Sequence, residues 1–345
     1  MLTVNNMKFE LCGYFDSNFG DDYMQKIVIH NMPEYDFYID KRCMISPVVL
    51  EEGNASTKDL DEIRGLPKLM VTGSGFMVNS LRALRYEIFW FLTSKHIADF
   101  CIGCNIEPFK SRLSEWLIIQ KLKKFKYIIC RDKRSLKWLK KNCPKLKSAY
   151  MPDILFSLPS AWLPEKILDK KLGIAIMHRS GDSGDNAYYK AMAKIADFWI
   201  QTTGKNVVLM AFDTGFENDV FACECVKSMM KYRNMAEIVK HGSHGEILNA
   251  YASCSKIIGA RFHSAVLAIK MNIDFYPIIY RDKMRNLIDD IHYPVKGCDI
   301  SDINTEGMKK FLSCDSVGFK LDEEYEMQAS NSFMLLKKYI NEELK

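Results

Sequence analysis

Short runs of β-branched and apolar residues alternate with helix-period stretches along this chain, and the pattern occurs twice. Apolar runs at 8–12, 36–39, 68–72, 97–102, 127–130 and 148–151 are separated by helical patterns at 21–30, 79–94, 113–124 and 134–142. The style resumes with strands at 172–177, 207–212, 237–240, 256–259 and 275–279, and helices at 187–201, 218–232, 246–254, 263–271 and 283–291. Strands alternating with helices of ten or more residues belong in parallel sheets covered on both faces. Between the halves, residues 158–171 (LPSAWLPEKILDKK) hold two prolines and no strand period, which marks a domain boundary. The predicted fold class is α/β, with two doubly wound Rossmann-like domains over about 1–160 and 170–320. The remaining stretch, 321–345, reads as one amphipathic C-terminal helix packing back on the first domain.

Composition removes several alternatives. A chain of 345 residues with 48% hydrophobic and 26% charged residues can bury two cores, which excludes disordered and collagen-like classes. The most apolar stretches, 88–93 (IFWFLT) and 267–280, are short or broken by charge, far from the ~20 apolar residues of a membrane span. The opening residues lack the basic-then-apolar pattern of a signal peptide, so the expected location is the cytoplasm. Eleven cysteines, odd in number and without framework spacing, read as reduced and mostly buried. Cys101 and Cys104 form a lone CxxC inside an apolar strand pattern, a structural feature and not a metal site.

Charge is concentrated. Residues 121–147 hold twelve Lys or Arg against the single Asp132, in a chain whose net charge is only +5. Such a segment suits an anionic neighbour, or is simply a solvated helix face. Nucleic acid is not expected, because no binding module or aromatic platform accompanies the basic residues. A peripheral contact with the inner face of an anionic membrane is the remaining use of 121–147.

In open parallel sheets, ligands bind beyond the carboxyl ends of the strands. Four loops at such ends carry unusual polar residues: 13–22 (GYFDSNFGDD), Gly73-Ser74-Gly75, 178–182 (HRSGD) and 259–264 (GARFHS). The last is the sharpest. A helix N-terminus already favours an anion, Arg261 adds a planar fork, and His263 adds a group that titrates near neutrality. Taken alone, the same pair reads equally as an arginine bound to a structural acid beside a core histidine. Asp21 likewise reads as a helix cap.

In this order the motifs resemble the polysaccharide pyruvyltransferase family. The resemblance is carried by Gly13, Asn18, Gly20 and Asp21, then by Gly73-Ser74-Gly75. Arg131-Asp132 with Ser135 and Leu139 follow, and then Asp153. It closes with Gly259, Arg261, His263, Ala268, Pro277, Tyr280 and Lys283. Ser74 stands where a middle glycine is usual, and Asp274 where a glycine–valine pair is usual. The resemblance runs over about residues 8–291.

That resemblance implies a GT-B-like arrangement of the two domains, donor side in the second and acceptor side in the first. It implies transfer of pyruvate from phosphoenolpyruvate onto two hydroxyls of one sugar in a cell-surface or exopolysaccharide glycan, forming a cyclic ketal. No cofactor is expected beyond the phosphoenolpyruvate donor, and no metal, because the loops lack a His/Asp cluster at ligand spacing and an Arg/Lys site can neutralise the phosphate by itself. His263 is then the expected general acid and Asp21 the acceptor-side base. Arg261, Arg179 and Lys283 hold the donor's carboxylate and phosphate, with Ser264, Asn18, Gly73, Ser74 and Gly75 lining the substrate site. The acceptor could be lipid-linked. The rival readings are a GT-B glycosyltransferase using a nucleotide-sugar donor, and a non-catalytic binding protein of polysaccharide assembly.

Overall fold

The computed structural model describes residues 6–73, 75–78, 80–93, 96–167, 170–178, 185–242 and 244–344. Two compact units share them. The first comprises Met1–Phe15, Asp21–Ser157 and Glu324–Lys345; the second comprises Asp16–Gly20 and Leu158–Glu323. Each has its own all-parallel sheet.

In chain order the first unit runs β1 (Met7–Gly13), α1 (Phe19–Asn31), β2 (Tyr35–Asp40), β3 (Ala55–Lys58) and α2 (Leu60–Ile63). It continues with β4 (Lys68–Val71), β5 (Gly75–Phe76), α3 (Leu81–Thr93), β6 (Phe100–Ile106), α4 (Arg112–Leu122), β7 (Tyr127–Cys130), α5 (Lys133–Asn142) and β8 (Lys147–Tyr150). The second unit holds β9 (Lys171–Ile176), α6 (Asp185–Thr203), β10 (Val207–Ala211), α7 (Asp219–Met229), β11 (Ala236–Lys240) and α8 (Glu246–Ala252). It closes with β12 (Cys254–Gly259), α9 (Phe262–Lys270), β13 (Asp274–Ile279), α10 (Asp282–Asp290), β14 (Cys298–Asp299) and α11 (Thr305–Ser313). The last helix, α12 (Glu323–Glu343), lies almost wholly in the first unit. There Tyr339 stacks on Tyr127 of β7 with ring centroids 3.7 Å apart, and Tyr325 meets Phe156 edge-on.

Strand order is β3-β2-β1-β4-β6-β7-β8 in the first sheet, with β5 added beside β6, and β11-β10-β9-β12-β13-β14 in the second. Both orders reverse direction once, between β1 and β4 and between β9 and β12. Those reversals open a crevice at the carboxyl ends of the strands. All four polar loops found in the sequence leave these four strands: 13–22 follows β1, Gly73 follows β4, and the turn from Gly259 to Ser264 follows β12. The fourth follows β9, but of it only His178 lies within the described residues.

Continuous apolar strands are buried on both faces. Every residue of β10 is buried, as is all of β9 after Lys171. Helix α9 is buried from Phe262 to Ile269, so its N-terminus is held by packing on all sides. The sequence reading did not anticipate β3, β5, β14, α2 or α11. The first four are two to four residues long, where periodicity has little length to show itself; α11 lies in a stretch to which the sequence reading gave no element.

Cys101 and Cys104 both lie in β6 and are completely buried. Gly103 between them has φ +87, and its strand register slips there against β7. The Cys101 thiol beside it, together with burial, raises the Cys104 thiol well above the ordinary range, and burial does the same to Cys130. Thiols held protonated are poor metal ligands. Replacing Cys101 and Cys104 together by alanine is expected to lower stability by about 1–3 kcal/mol, with no zinc in the mass spectrum of the native protein. Stoichiometric zinc that disappears with the double replacement would refute this.

Candidate functional site

The second unit gathers most of the residues singled out from the sequence. At the end of β12 the chain turns tightly into α9, and a Cβ on Gly259 would sit 2.4 Å from Ser264 Oγ. That hydroxyl donates to the Arg261 carbonyl at 2.6 Å, and Tyr251 donates to the Ser264 carbonyl at 3.0 Å. Ser264 is fully buried and holds the turn.

Arg261 is buried and bound to two carboxylates. Its Nε and Nη2 donate to Asp219 Oδ2 and Oδ1 at 2.8 and 2.5 Å, and Nη1 donates to Glu217. Burial works against its charge, but Asp219 and Glu217 outweigh that and raise the guanidinium further above its usual range. Asp219, completely buried, also accepts the backbone N–H groups of His178 at 2.8 Å and Asp213 at 3.0 Å. Of the two possibilities the sequence left open for Arg261, the structure has the ion pair with a structural acid.

Asp213 and Glu217 come from the loop between β10 and α7, which the sequence reading passed over, and Asp219 is the first residue of α7. Its signal was present: DTGFEND follows an apolar strand, at the kind of strand end where ligands bind. Asp213 caps its own loop, accepting from the Gly215 and Glu217 amides at 3.1 Å each, and its other oxygen accepts from Asn18 Nδ2 at 3.1 Å. Burial lifts its carboxyl to about 6 against the pull of Asn18 and Arg261. Glu217 is lowered: burial opposes its charge, but Arg261, Lys283 and Arg281 overcome it. Lys283, half-buried, lies over the rings of Tyr280 and Phe262 at 5.4 and 5.7 Å.

Residues 16–20 complete this cluster. The Phe19 amide donates to the Phe212 carbonyl at 2.8 Å, and Phe19 packs edge-on against Phe212 and His241. Thr214 donates to the Ser17 carbonyl at 3.0 Å, and Phe216 to Asp16 Oδ2 at 2.7 Å. Asn18 Oδ1 accepts the Gly20 amide at 3.0 Å. A Cβ on Gly20 would lie 1.6 Å from His263 Nδ1, so only glycine leaves room for the imidazole. Asn18, Arg261, His263, Ser264 and Lys283 are thus assembled in one unit; Arg179 lies outside the described residues.

The first unit holds the others. Asp21, also buried, accepts the Gly73 amide on Oδ1 at 3.0 Å. The Gly73 carbonyl in turn accepts from Arg131 Nη2 at 2.6 Å. Arg131 also donates to Asn105 Oδ1 at 3.0 Å and forms a buried pair with Asp153 at 2.8 Å. Asp132 caps α5 through the Ser135 amide at 2.7 Å, and the Ser135 hydroxyl accepts from Ile106 N at 2.7 Å. Asp21 and Arg131 thus hold Gly73 from both sides, one through its N–H and the other through its C=O. Gly75 packs against Asn105 and Glu107, where a Cβ would approach within 2.8 Å, and it lines a cavity of about 240 Å³ with Thr72, Tyr86, Glu87 and Lys121. Ser74 lies outside the described residues.

A family model described as polysaccharide pyruvyl transferase matches residues 18–282. Among solved structures, a putative UDP-N-acetylglucosamine 2-epimerase from Listeria monocytogenes superimposes with TM-score 0.65 at 11% identity, covering 98% of this chain and 96% of that one. The Neisseria meningitidis UDP-GlcNAc 2-epimerase gives 0.63 at 7%, covering 97% and 99%. A sucrose-phosphate synthase from Thermosynechococcus elongatus gives 0.55 at 10%, covering 98% of each chain. At these identities the likeness is one of fold. A search of the curated proteins found no significant match.

Two outcomes test the electrostatics. Asp219→Ala strands a buried guanidinium and should cost about 3–5 kcal/mol in urea denaturation. Adding Arg261→Leu should recover part of that, and strictly additive losses would show the pair to be uncoupled. Asp213 has a folded-state value raised from 3.8 to about 6. A raised acid stabilises the fold below its unfolded value and loses that contribution as pH rises through the folded one. Between about pH 4 and 6 the wild type should therefore lose on the order of 2 kcal/mol relative to Asp213→Asn. Parallel stability curves would exclude Asp213 as the titrating group.

Proposed function

The chain belongs to the polysaccharide pyruvyl transferase family, and on that premise we propose that it moves pyruvate from phosphoenolpyruvate onto two hydroxyls of one sugar in a glycan, releasing phosphate and leaving a cyclic ketal. The observation that carries this reading is the seating of His263 on Gly20 at the start of α9. An imidazole held there, with Lys283 and Arg281 close enough to lower the Glu217 carboxyl, is placed to give a proton to an anionic substrate.

The proposed sequence balances as follows. His263 gives a proton to the methylene carbon of phosphoenolpyruvate, and the neighbouring carbon becomes oxocarbenium-like. One sugar hydroxyl adds to it and loses its proton. The carbon–oxygen bond to phosphate then breaks, inorganic phosphate leaves, and the second hydroxyl closes the ring and loses its proton; of the two hydroxyl protons, one replaces the proton given by His263 and the other leaves on the phosphate. Asp21, its carboxylate oriented by the Gly73 amide, is the proposed acceptor of hydroxyl protons. Lys283 and Arg179 are the proposed holders of the donor's anionic groups. Arg261 spends Nε, Nη1 and Nη2 on Asp219 and Glu217, and we read it as the residue that positions His263. Phosphoenolpyruvate is a cytosolic metabolite, so the proposed place of action is the cytoplasm, with no resident metal or cofactor needed.

The test is incubation with phosphoenolpyruvate and a panel of glycosides, reading free phosphate and the mass of a ketal product. Thermal-shift titrations with phosphoenolpyruvate and UDP-sugars run beside it, since a ligand stabilises the state that binds it. Stabilisation by a UDP-sugar, with no phosphate release on any acceptor, would favour a glycosyltransferase instead. His263→Ala should lower kcat about 10²–10⁴-fold with its melting midpoint unchanged. Lys283→Ala should instead raise KM for phosphoenolpyruvate, by about tenfold or more. Near-normal turnover in His263→Ala would remove it from the mechanism, and loss of all activity on chelation would point to a metal-dependent transferase.

A further inference from the structure

Helix α3, with the sequence LRALRYEIFWFLT, is among the most apolar in the chain, yet it turns much of that surface outward. Leu81, Tyr86, Phe89 and Leu92 are all exposed, Leu81 by 77% and Leu92 by 74%. At 100° per residue these four fall on one side of the helix, while Trp90 and Glu87 face inward. The neighbouring α4 adds exposed Leu113 and Trp116, three residues apart, and the Trp116 ring meets Phe91 of α3 at 4.8 Å. Exposed large apolar side chains on two touching helices make a patch, and a patch of this kind marks an interaction surface.

The charges around it have one sign. Arg82 and Arg85 lie on the outer face of α3, Arg112 opens α4, and Lys123 and Lys124 follow its end, all exposed. The two acids on these helices are turned away: Glu87 is buried against Lys121 at 2.7 Å, and Glu115 accepts from Trp138 Nε1 at 3.1 Å. An apolar stripe containing Trp, Tyr and Phe, interspersed with arginines and free of outward acids, has the chemistry of a helix lying in an anionic lipid interface. No helix among the described residues is long and apolar enough to cross a membrane.

We propose that the outer face of α3, with the adjoining end of α4, docks on an anionic bilayer surface. The basic segment 121–147 contributes charge to this contact only in part. Lys121 and Arg131 are buried in ion pairs, and Lys147 is bound to Glu343 at 2.6 Å. Helix α5, the most basic element, exposes no large apolar side chain among the described residues. Charge alone gives adsorption; the leucines and aromatics of α3 and α4 give insertion. The surface is separate from the reaction proposed above and stands or falls without it.

The full-length protein is to be sedimented with vesicles of phosphatidylcholine and with vesicles containing phosphatidylglycerol. Binding should be about tenfold or more stronger to the anionic vesicles and should fall with salt. The triple variant Leu81→Ser, Phe89→Ser, Leu92→Ser should lose about tenfold or more of that affinity, with an unchanged circular dichroism spectrum and melting midpoint because these side chains are exposed. Arg82→Glu with Arg85→Glu should abolish the preference for anionic lipid. Lys140→Glu with Lys141→Glu should weaken binding while leaving tryptophan quenching by brominated lipid intact. Equal binding by wild type and the triple variant, or no vesicle binding by the wild type, would overturn the proposal. So would a wild-type dimer in light scattering that the triple variant dissolves, because a second copy would then cover the patch.

Discussion

The buried pair between Arg261 and Asp219 organises the second unit's site. Two charges taken out of water are expensive unless geometry and hydrogen bonding are complete. Here the fork meets the carboxylate along two bonds of 2.8 and 2.5 Å, and the carboxylate accepts two further backbone N–H groups. One side chain thereby fixes three strand-end segments: the turn before α9, the loop before α7, and the chain leaving β9 at His178. The start of α9 is set by that knot, and His263 is two residues from Arg261. A small displacement of the pair would carry the imidazole with it.

The first unit uses a different device for the same purpose. Its glycine-rich turn is fixed through a single residue, with Asp21 on the N–H of Gly73 and Arg131 on its C=O. Arg131 in turn is neutralised by Asp153. The glycines at both sites also act by absence. Gly20 leaves the space that His263 fills, and Gly75 lets Asn105 and Glu107 approach.

Much of this was legible in the sequence, for identifiable reasons. Parallel strands buried on both faces read as continuous apolar runs, and the loops at their carboxyl ends carry polar residues that packing does not require. Hence His263, Asp21, Asn18 and the Gly73 turn stood out. The partner of Arg261 did not, because it lies 42 residues away along the chain. The strand order places β10 and β12 on either side of β9, so loops from both converge beyond its end; no local pattern announces that. Helix α3, read from the sequence only as a helical pattern, shows a second limit. Its apolar content is that of a core helix, and only the packing shows which face was left outside.

Residues 16–20 belong with the second unit although residues on both sides of them belong with the first, and the first unit is completed only by α12. The two units are therefore interleaved along the chain. During synthesis, which proceeds from the N-terminus, the strap that seats His263 emerges long before the sheet it joins, and the first sheet waits for the last helix. The first unit, begun first, is also the last to be completed. The gene cannot be cut at one point into two self-sufficient pieces, and residues 158–323 exchanged between relatives as a single block would arrive without Asn18 and Gly20.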